Sequence, residues 1–478
     1  MSSVSLTAES VIELAPHEAF ALFGRAEAGT WLFDARCDSV AVGAPIRMVL
    51  PIADASDRHR VELLGRVSEV RPGRLIVVEH VQPWQGKIRL SFQPHGVART
   101  RVRVRADVSE SAVEWLVRHH GILLPHSEGD ADTLRIGLVT SKSGPLAVCM
   151  IASEYLAQLA VDDINDGGGV RERQVELMVA DDESIPSIAA TEARRLQRAG
   201  CHAIFACGTS ASFAAIDQAV SRDVLAVHAS MNERGNHGRG AAVQVGERPE
   251  VQIAVMADRI RRTAGAHGWF LVGEQYSWSY GAHRAARQLL PRSNGRILGE
   301  SFTPLGTTDF SPIIDVIERS GADVVMSSLV GADEVEFERQ CAAAGLRSRT
   351  CTLSLTMEET TLDYIGPESA EGIWTALGYH EAAPTDGNER LVSRYRQRFG
   401  PWAPPVSTLS ETVYEAIVQY ADAVRRRGEA GEPLPVRDFI AHLEDAAGDG
   451  IGTRNLLRPS LQLARVEAGA RVVFDEVG

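Results

Sequence analysis

"LRIGLVTSKSG", residues 134–144, is a short apolar run that stops at Thr140 and opens into a loop of small residues. A short run of this kind, apolar but for Arg135, reads as a buried strand of a parallel sheet. In an open α/β sheet, the loop at the carboxyl end of such a strand is where ligands are held. Onward from it, short apolar strands alternate with amphipathic helices: "MIASEYLAQLAVDDINDGGG" (150–169), "QVELMVAD" (174–181), "IAATEARRLQRAG" (188–200), "HAIFAC" (202–207) and "SASFAAIDQAVS" (210–221). The alternation continues through "GWFLVG" (268–273), "SPIIDVIERSG" (311–321) and "DVVMSSLV" (323–330). Repeated strand–helix units make a parallel sheet with helices on both faces. There are too many units for one sheet, so two doubly wound lobes are expected.

Before residue 134 the pattern is different. "SLTAESVIEL" (5–14) reads as a strand, and "PHEAFALFG" (16–24) reads as a helix between Pro16 and Gly24. Several strands follow. In "KIRLSFQ" (87–93), Ile88, Leu90 and Phe92 share one face. In "RTRVRVRADV" (99–108), Arg99, Arg101, Arg103 and Arg105 line one face, and Thr100, Val102, Val104 and Ala106 line the other. Period-two alternation means one dry and one wet face. The arginine stripe reads as a solvated sheet face; the sharper reading makes it a docking face for an acidic body. "SESAVEWLVRHHG" (109–121) reads as a closing helix, and "GILLPHSEGDADT" (121–133) as a linker.

Composition narrows the function. The chain has 478 residues, 44% of them hydrophobic, and a net charge of -14. The first 125 residues hold 15 Lys and Arg against 14 Asp and Glu, and the remainder 34 against 49. So acidic a body disfavours contact with a phosphate backbone, and no nucleic-acid partner is expected. No apolar run approaches the roughly 20 residues that span a bilayer. The first twenty residues, broken by Glu9 and Glu13, do not read as a secretory signal, so a cytoplasmic protein is expected. The six cysteines form no Cys-x-x-Cys pair and read as buried thiols, with a Cys201–Cys207 disulfide as the alternative. No Gly-x-Ser-x-Gly, His-Glu-x-x-His, Walker A or Gly-x-Gly-x-x-Gly motif is present, so neither catalysis nor a metal or cofactor is expected.

The loops after the strands carry small hydroxyls, aromatics and acids: "TSKSG" (140–144), "CGTSAS" (207–212), "HASMNE" (228–233), "GEQYSWSYG" (273–281), "SSLVGAD" (327–333) and "SLTMEET" (354–360). That chemistry suits a cleft for one small polar molecule. In this order the loops resemble those of the type I solute-binding proteins. The branch in view is the one that takes branched-chain amino acids, short amides and urea. "IGLVTSKSGPLA", "AVDDINDGGGVRERQVELMVADD", "FLVGEQYSWSYG" and "FTPLGTTDFSPIIDVIERSGADVV" carry the resemblance over 134–478. "GEQYSW" and the tail "TRNLLRPSLQLARVEAG" look most like amide sensors and urea-type binders. The first 121 residues, through "ELAPHEAFALF", Trp31, "VGAPIRMVL", "GRVSEVRPGRLIVVEH" and "TRVRVRADV", resemble the START/SRPBCC helix-grip superfamily.

The resemblance implies an α/β two-lobed type I periplasmic-binding-protein fold preceded by an α+β helix-grip domain. The helix-grip domain would span 1–121, with a linker at 122–133. Lobe I would be about 134–247 with 377–449, and lobe II about 248–376 with 450–478. It implies ligand contacts from Ser143, Ser210, Ser212, His228 and Ser230, with Tyr276 and Trp278 closing from the second lobe. Glu358 lies where amino-acid binders place an acid for the ammonium, and Asp333 competes for that role. Each residue also has a plainer reading: Ser210 and Ser212 as helix start, Glu358 as helix cap, Asp333 as dipole acid, His228 as a structural ring. The expected function is a cytoplasmic small-molecule sensor that signals by hinge closure. Its partners would be a small polar ligand and then a regulatory protein or its own N-terminal domain, with a homodimer allowed and no membrane. Two rivals stand beside it. One is the substrate-binding component of a branched-chain amino acid/amide-type ABC transporter; the other is a cyclase-like or lipid-binding helix-grip domain regulated by the two-lobed, flytrap-like domain of residues 134–478, the flytrap.

Overall fold

The computed structural model describes residues 4–24, 34–51, 60–96, 98–109, 112, 113, 115, 133–233, 242–427, 433–446, 455–467 and 470–477. The chain divides into two units: residues 1–126 with 400–404, and 127–399 with 405–478.

The first unit is a seven-stranded antiparallel sheet. Its strands are β1 (Val4–Ile12), β2 (Asp34–Arg36), β3 (Pro45–Pro51), β4 (Arg60–Arg71), β5 (Leu75–Gln82), β6 (Gly86–Pro94) and β7 (Thr100–Val108). The order across the sheet is β1-β7-β6-β5-β4-β3-β2, so the first strand pairs with the last. Ile88, Leu90 and Phe92 are buried on the dry face beside Ile46, Met48 and Val102. The helix Pro16–Ala21 lies on that face, where Phe20 meets Phe92 edge-on with ring centres 5.5 Å apart. The arginine stripe is matched within its own sheet. Arg101 and Arg103 both pair with Glu9 of β1, and Arg99 pairs with Glu13. Two carboxylates thus meet three of the four arginines, which offsets part of the positive charge of the wet face. Apart from Ser109, Ala112, Val113 and Trp115, the helix expected at 109–121 lies outside the described residues, as does the linker up to residue 132.

The second unit holds two sheets, here called lobes I and II. Lobe I has five parallel strands in the order β12-β11-β10-β8-β9: β8 (Thr133–Thr140), β9 (Gln174–Asp181), β10 (Ala203–Cys207), β11 (Leu225–Ala229) and β12 (Ala242–Val245). β10 and β11 are buried at every position, which is why they read as continuous apolar runs. Ala189, Ala193 and Leu196 of one helix and Phe213 and Ile216 of the next seal one face. The helices Ser153–Asp166 and Thr408–Arg427 pack on each other, where Tyr414 donates to Asp163 at 2.7 Å.

Lobe II has seven strands in the order β14-β13-β15-β16-β17-β18-β19. The first five, β13 (Gly268–Glu274), β14 (Arg296–Thr303), β15 (Val324–Ser327), β16 (Cys351–Ser354) and β17 (Trp374–Leu377), are parallel. β18 (Leu461–Glu467) and β19 (Ala470–Val477) then add an antiparallel pair. All six cysteines are free thiols, and Cys201 and Cys207 are buried without bonding to each other.

The chain passes between the lobes near residues 246–248, again after Leu377, and a third time before Leu461. Glu247 ties two of these passages together. Its buried carboxylate accepts the Gly378 N–H at 2.6 Å and the Thr408 hydroxyl. The third passage is tied in by Gly246 N–H to the Leu456 carbonyl at 3.0 Å and by Arg248 to the Leu457 carbonyl at 2.6 Å. Leaving two buried donors without an acceptor costs about 1–3 kcal/mol each. Glu247→Ala is therefore expected to destabilise the flytrap unit by about 2 kcal/mol or more, read as a lowered urea midpoint. An unchanged midpoint would show that the passages hold together without it.

Candidate functional site

Between the lobes lies a cavity with about 400 Å³ of empty space, counting its open mouth. Lobe I supplies Thr209, Ser210, Ser230 and the sulfur-bearing Cys149 and Met150, among others. Lobe II supplies Tyr276, Trp278, Val330, Gly331 and Thr356. Among the described residues, no Lys, Arg, Asp or Glu lines it. The wall is apolar with hydroxyls set into it, the composition expected of a small-molecule site.

Local structure fixes each polar group. β10 ends at Cys207, and Thr209 caps the next helix by accepting the Ser212 N–H at 2.9 Å. That cap leaves Ser210 in the first turn, at the amino end of the helix, where backbone N–H groups have no partner inside the helix. Across the cleft, the Trp278 indole N–H donates to the Ser328 carbonyl at 3.0 Å. Ser279 bonds the same carbonyl and receives the Glu274 N–H, so the "QYSW" turn is pinned to the end of β15. Burial pushes the Tyr276 phenol well above its ordinary value, and the carboxylates of Glu274 and Glu233 push it further.

The lobes also touch through the segment that precedes Cys149. Ala332 donates its N–H to the Pro145 carbonyl at 2.8 Å, and Thr360 donates its hydroxyl to the Val148 carbonyl at 3.1 Å. Gly331 sits in the left-handed region at φ 56°, and a Cβ there would come within 2.4 Å of the Pro145 oxygen. Only glycine meets both demands.

Of the residues singled out from sequence, the structure brings Ser210, Ser230, Tyr276 and Trp278 to the cavity wall. The other five do not line it, and each is occupied locally. Ser143 donates to Asp181 at 2.8 Å. Ser212 belongs to the cap, and its hydroxyl faces Asp182. His228 is stacked flat on Phe213 at 4.6 Å and bonds the Gly208 carbonyl. Asp333 accepts the Gly306 and Thr307 N–H groups. Glu358 caps the helix Glu359–Ile365, accepting the N–H groups of Thr360 and Thr361 at 2.8 Å. Sequence reading did not single out Cys149 and Met150, nor Thr209 and Thr356 within the quoted loops. It also passed over Glu233, whose carboxylate receives the Ser210 hydroxyl at 2.6 Å.

The model of a family described as periplasmic binding protein matches residues 133–465. A Leu/Ile/Val-binding protein homolog from Brucella abortus is 28% identical over 66% of this chain and 83% of its own. A branched-chain amino acid transporter substrate binding protein from Streptococcus pneumoniae, solved with isoleucine, superposes with a TM-score of 0.62. It is 18% identical and covers 72% of this chain and 99% of its own. A solute binding protein of an ABC transporter from R. palustris, solved with 4-hydroxybenzoate, gives 0.62 at 19% identity, covering 72% and 96%. The match to the family model begins at residue 133, so it does not assign the N-terminal sheet.

The buried acids set a pH dependence. Burial raises Asp333, Glu334 and Glu358 to about 7, and raises Glu274 well above the usual carboxylate range. Such groups hold their proton in the folded state and lose it in the unfolded state, so their contribution is complete below about pH 4 and lost as pH rises through about 7. The unfolding temperature of the full chain is expected to fall between about pH 5.5 and about pH 8. Glu358→Gln, which keeps an acceptor for the cap but has no proton to lose, should flatten part of that slope. An equal slope in the variant would remove Glu358 from the effect.

Proposed function

Because the chain belongs to the periplasmic binding protein family, we propose that it is the substrate-binding component of an ABC-type transporter and carries one small amino-acid-like or amide ligand between its lobes. Membership overturns the expectation of a cytoplasmic protein, since the matched family is periplasmic. The sensor role expected with that location gives way to the transport role. The relatives are binding proteins rather than enzymes.

One observation carries the reading: the cavity is walled by hydroxyls from one lobe and by an aromatic pair from the other. A guest touching both walls stabilises the arrangement in which they meet, and that selects the shape a transporter would read. Ser210 and Ser230 would bond the polar end of the ligand. Tyr276 and Trp278 would cover it, and Leu146, Met231, Val330 and Leu409 would take its apolar part. The apolar share fits an aliphatic or aromatic side group, in keeping with the isoleucine and 4-hydroxybenzoate held by the two solved neighbours.

The N-terminal sheet, with its helix Pro16–Ala21 between β1 and β2 and Phe20 packed on Phe92, supports a helix-grip reading of that unit.

A thermal-shift series with leucine, isoleucine, short amides and benzoates tests the binding role. A ligand at 100 times its Kd adds about 2.7 kcal/mol of stability, a shift of a few degrees. The expected result is a shift with at least one member, abolished by Tyr276→Ala and by Ser230→Ala while the unliganded melting temperature moves little. Shifts retained in both variants would place the ligand elsewhere.

A further inference from the structure

Glu233 stands three residues past Ser230, in the loop that leaves β11, and is buried. Two contacts define it. Its Oε2 receives the hydroxyl hydrogen of Ser210, a cavity-lining residue, at 2.6 Å. Its stem lies against Gly281 of lobe II, where an added Cβ would come within 2.4 Å of Glu233 Cβ and 2.9 Å of Cγ. Gly281 is inside the helix Ser277–Leu289, a position where glycine is a poor helix former. Its presence there is explained by the room that Glu233 needs when the lobes meet. Glu233 is thus held between a serine of one lobe and a helix of the other, and its charge is felt by Tyr276, another lining residue.

We propose that Glu233 is a specificity-determining residue of the cleft, selecting a ligand that presents an N–H donor, as an ammonium or amide group, to the Ser210 wall. The proposal rests on the cavity being the ligand site. A hydroxyl has one hydrogen to give, and that of Ser210 is committed to Glu233. Toward the cavity Ser210 therefore offers lone pairs. A ligand carboxylate set against it would place acceptor on acceptor and bring like charge toward Glu233. Among the described lining residues, no Lys or Arg offsets that; the N–H groups at the helix start favour an anion, and for this selectivity the Glu233 carboxylate must outweigh them. A ligand N–H in the same place donates to Ser210 Oγ and is drawn to the carboxylate behind it. The two acids that the sequence put forward for this task, Asp333 and Glu358, are occupied by backbone N–H groups. Because Glu233 also fills the space at Gly281, the residue that reads the ligand belongs to the contact made on closure.

The test compares, on the full chain by calorimetry, two pairs of probes that differ only in the group presented: isovalerate against isovaleramide, and benzoate against benzamide. Leucine is the zwitterionic member. In the wild type at least one amide is expected to bind tenfold or more tighter than its carboxylate. In Glu233→Gln, which keeps an acceptor for Ser210 without the charge, that preference should shrink to threefold or less, and any leucine affinity should drop by tenfold or more. A carboxylate that binds the wild type as tightly as its amide overturns the proposal and leaves the carrier role standing. So does a preference that survives unchanged in Glu233→Gln. No binding by any of the five probes overturns the carrier role as stated, and this proposal with it.

Discussion

Buried backbone N–H groups at the ends of strands must find acceptors, and in this flytrap acidic side chains supply many of them. Asp181 takes the N–H groups of Lys142 and Ser143. Asp182 takes Ser184, Glu274 takes Val330, Asp333 takes Gly306 and Thr307, and Glu358 takes Thr360 and Thr361. Glu247 does the same for Gly378 where the lobes join. An unpaired buried donor costs more than a made hydrogen bond returns, so these acids decide the shape of the loops. The cavity wall is what remains once the loops are fixed, and its described residues include no charged side chain. Glu233 departs from the pattern by taking its hydrogen from a side chain of the wall.

The same rule explains which parts of the site were legible in the sequence. Alternating apolar strands and amphipathic helices give the two-lobed architecture directly, because burial on both faces of a parallel sheet leaves an unmistakable run of apolar residues. "QYSW" marked Tyr276 and Trp278, and the serine loops marked Ser210 and Ser230. Glu358 and Asp333 were misleading for a physical reason. An acid followed by two threonines offers equal chemistry to a ligand ammonium and to helix N–H groups, and the difference is a matter of direction. Ser210 and Ser212 looked alike in "GTSAS", yet the capping turn belongs to Thr209, which puts Ser210 on the wall and takes Ser212 off it.

The N-terminal sheet gives a second case. The arginines at 99, 101, 103 and 105 looked uncompensated because Glu9 and Glu13, which meet three of them, lie far earlier in the chain. Only the pairing of β1 with β7 brings Glu9 opposite Arg103, and no local pattern in either strand announces it. Surface pairs of this kind contribute little stability. Their effect is to leave the wet face less charged than its arginine count suggests.

The placement of β18 and β19 bears on how the chain is made. Lobe II is built mainly from residues 268–377, but β17 gains its outer neighbour only from 461–467. The helix Thr408–Arg427, which packs on the helix Ser153–Asp166, likewise belongs to a lobe whose strands end at Val245. During synthesis from the amino end, each half therefore waits, with an open edge or a bare flank, for segments made much later. The antiparallel sheet of residues 4–108 needs nothing beyond itself for its ladder, so it can assemble before the flytrap is complete. The segments that follow Leu377 are then what lets both lobes finish.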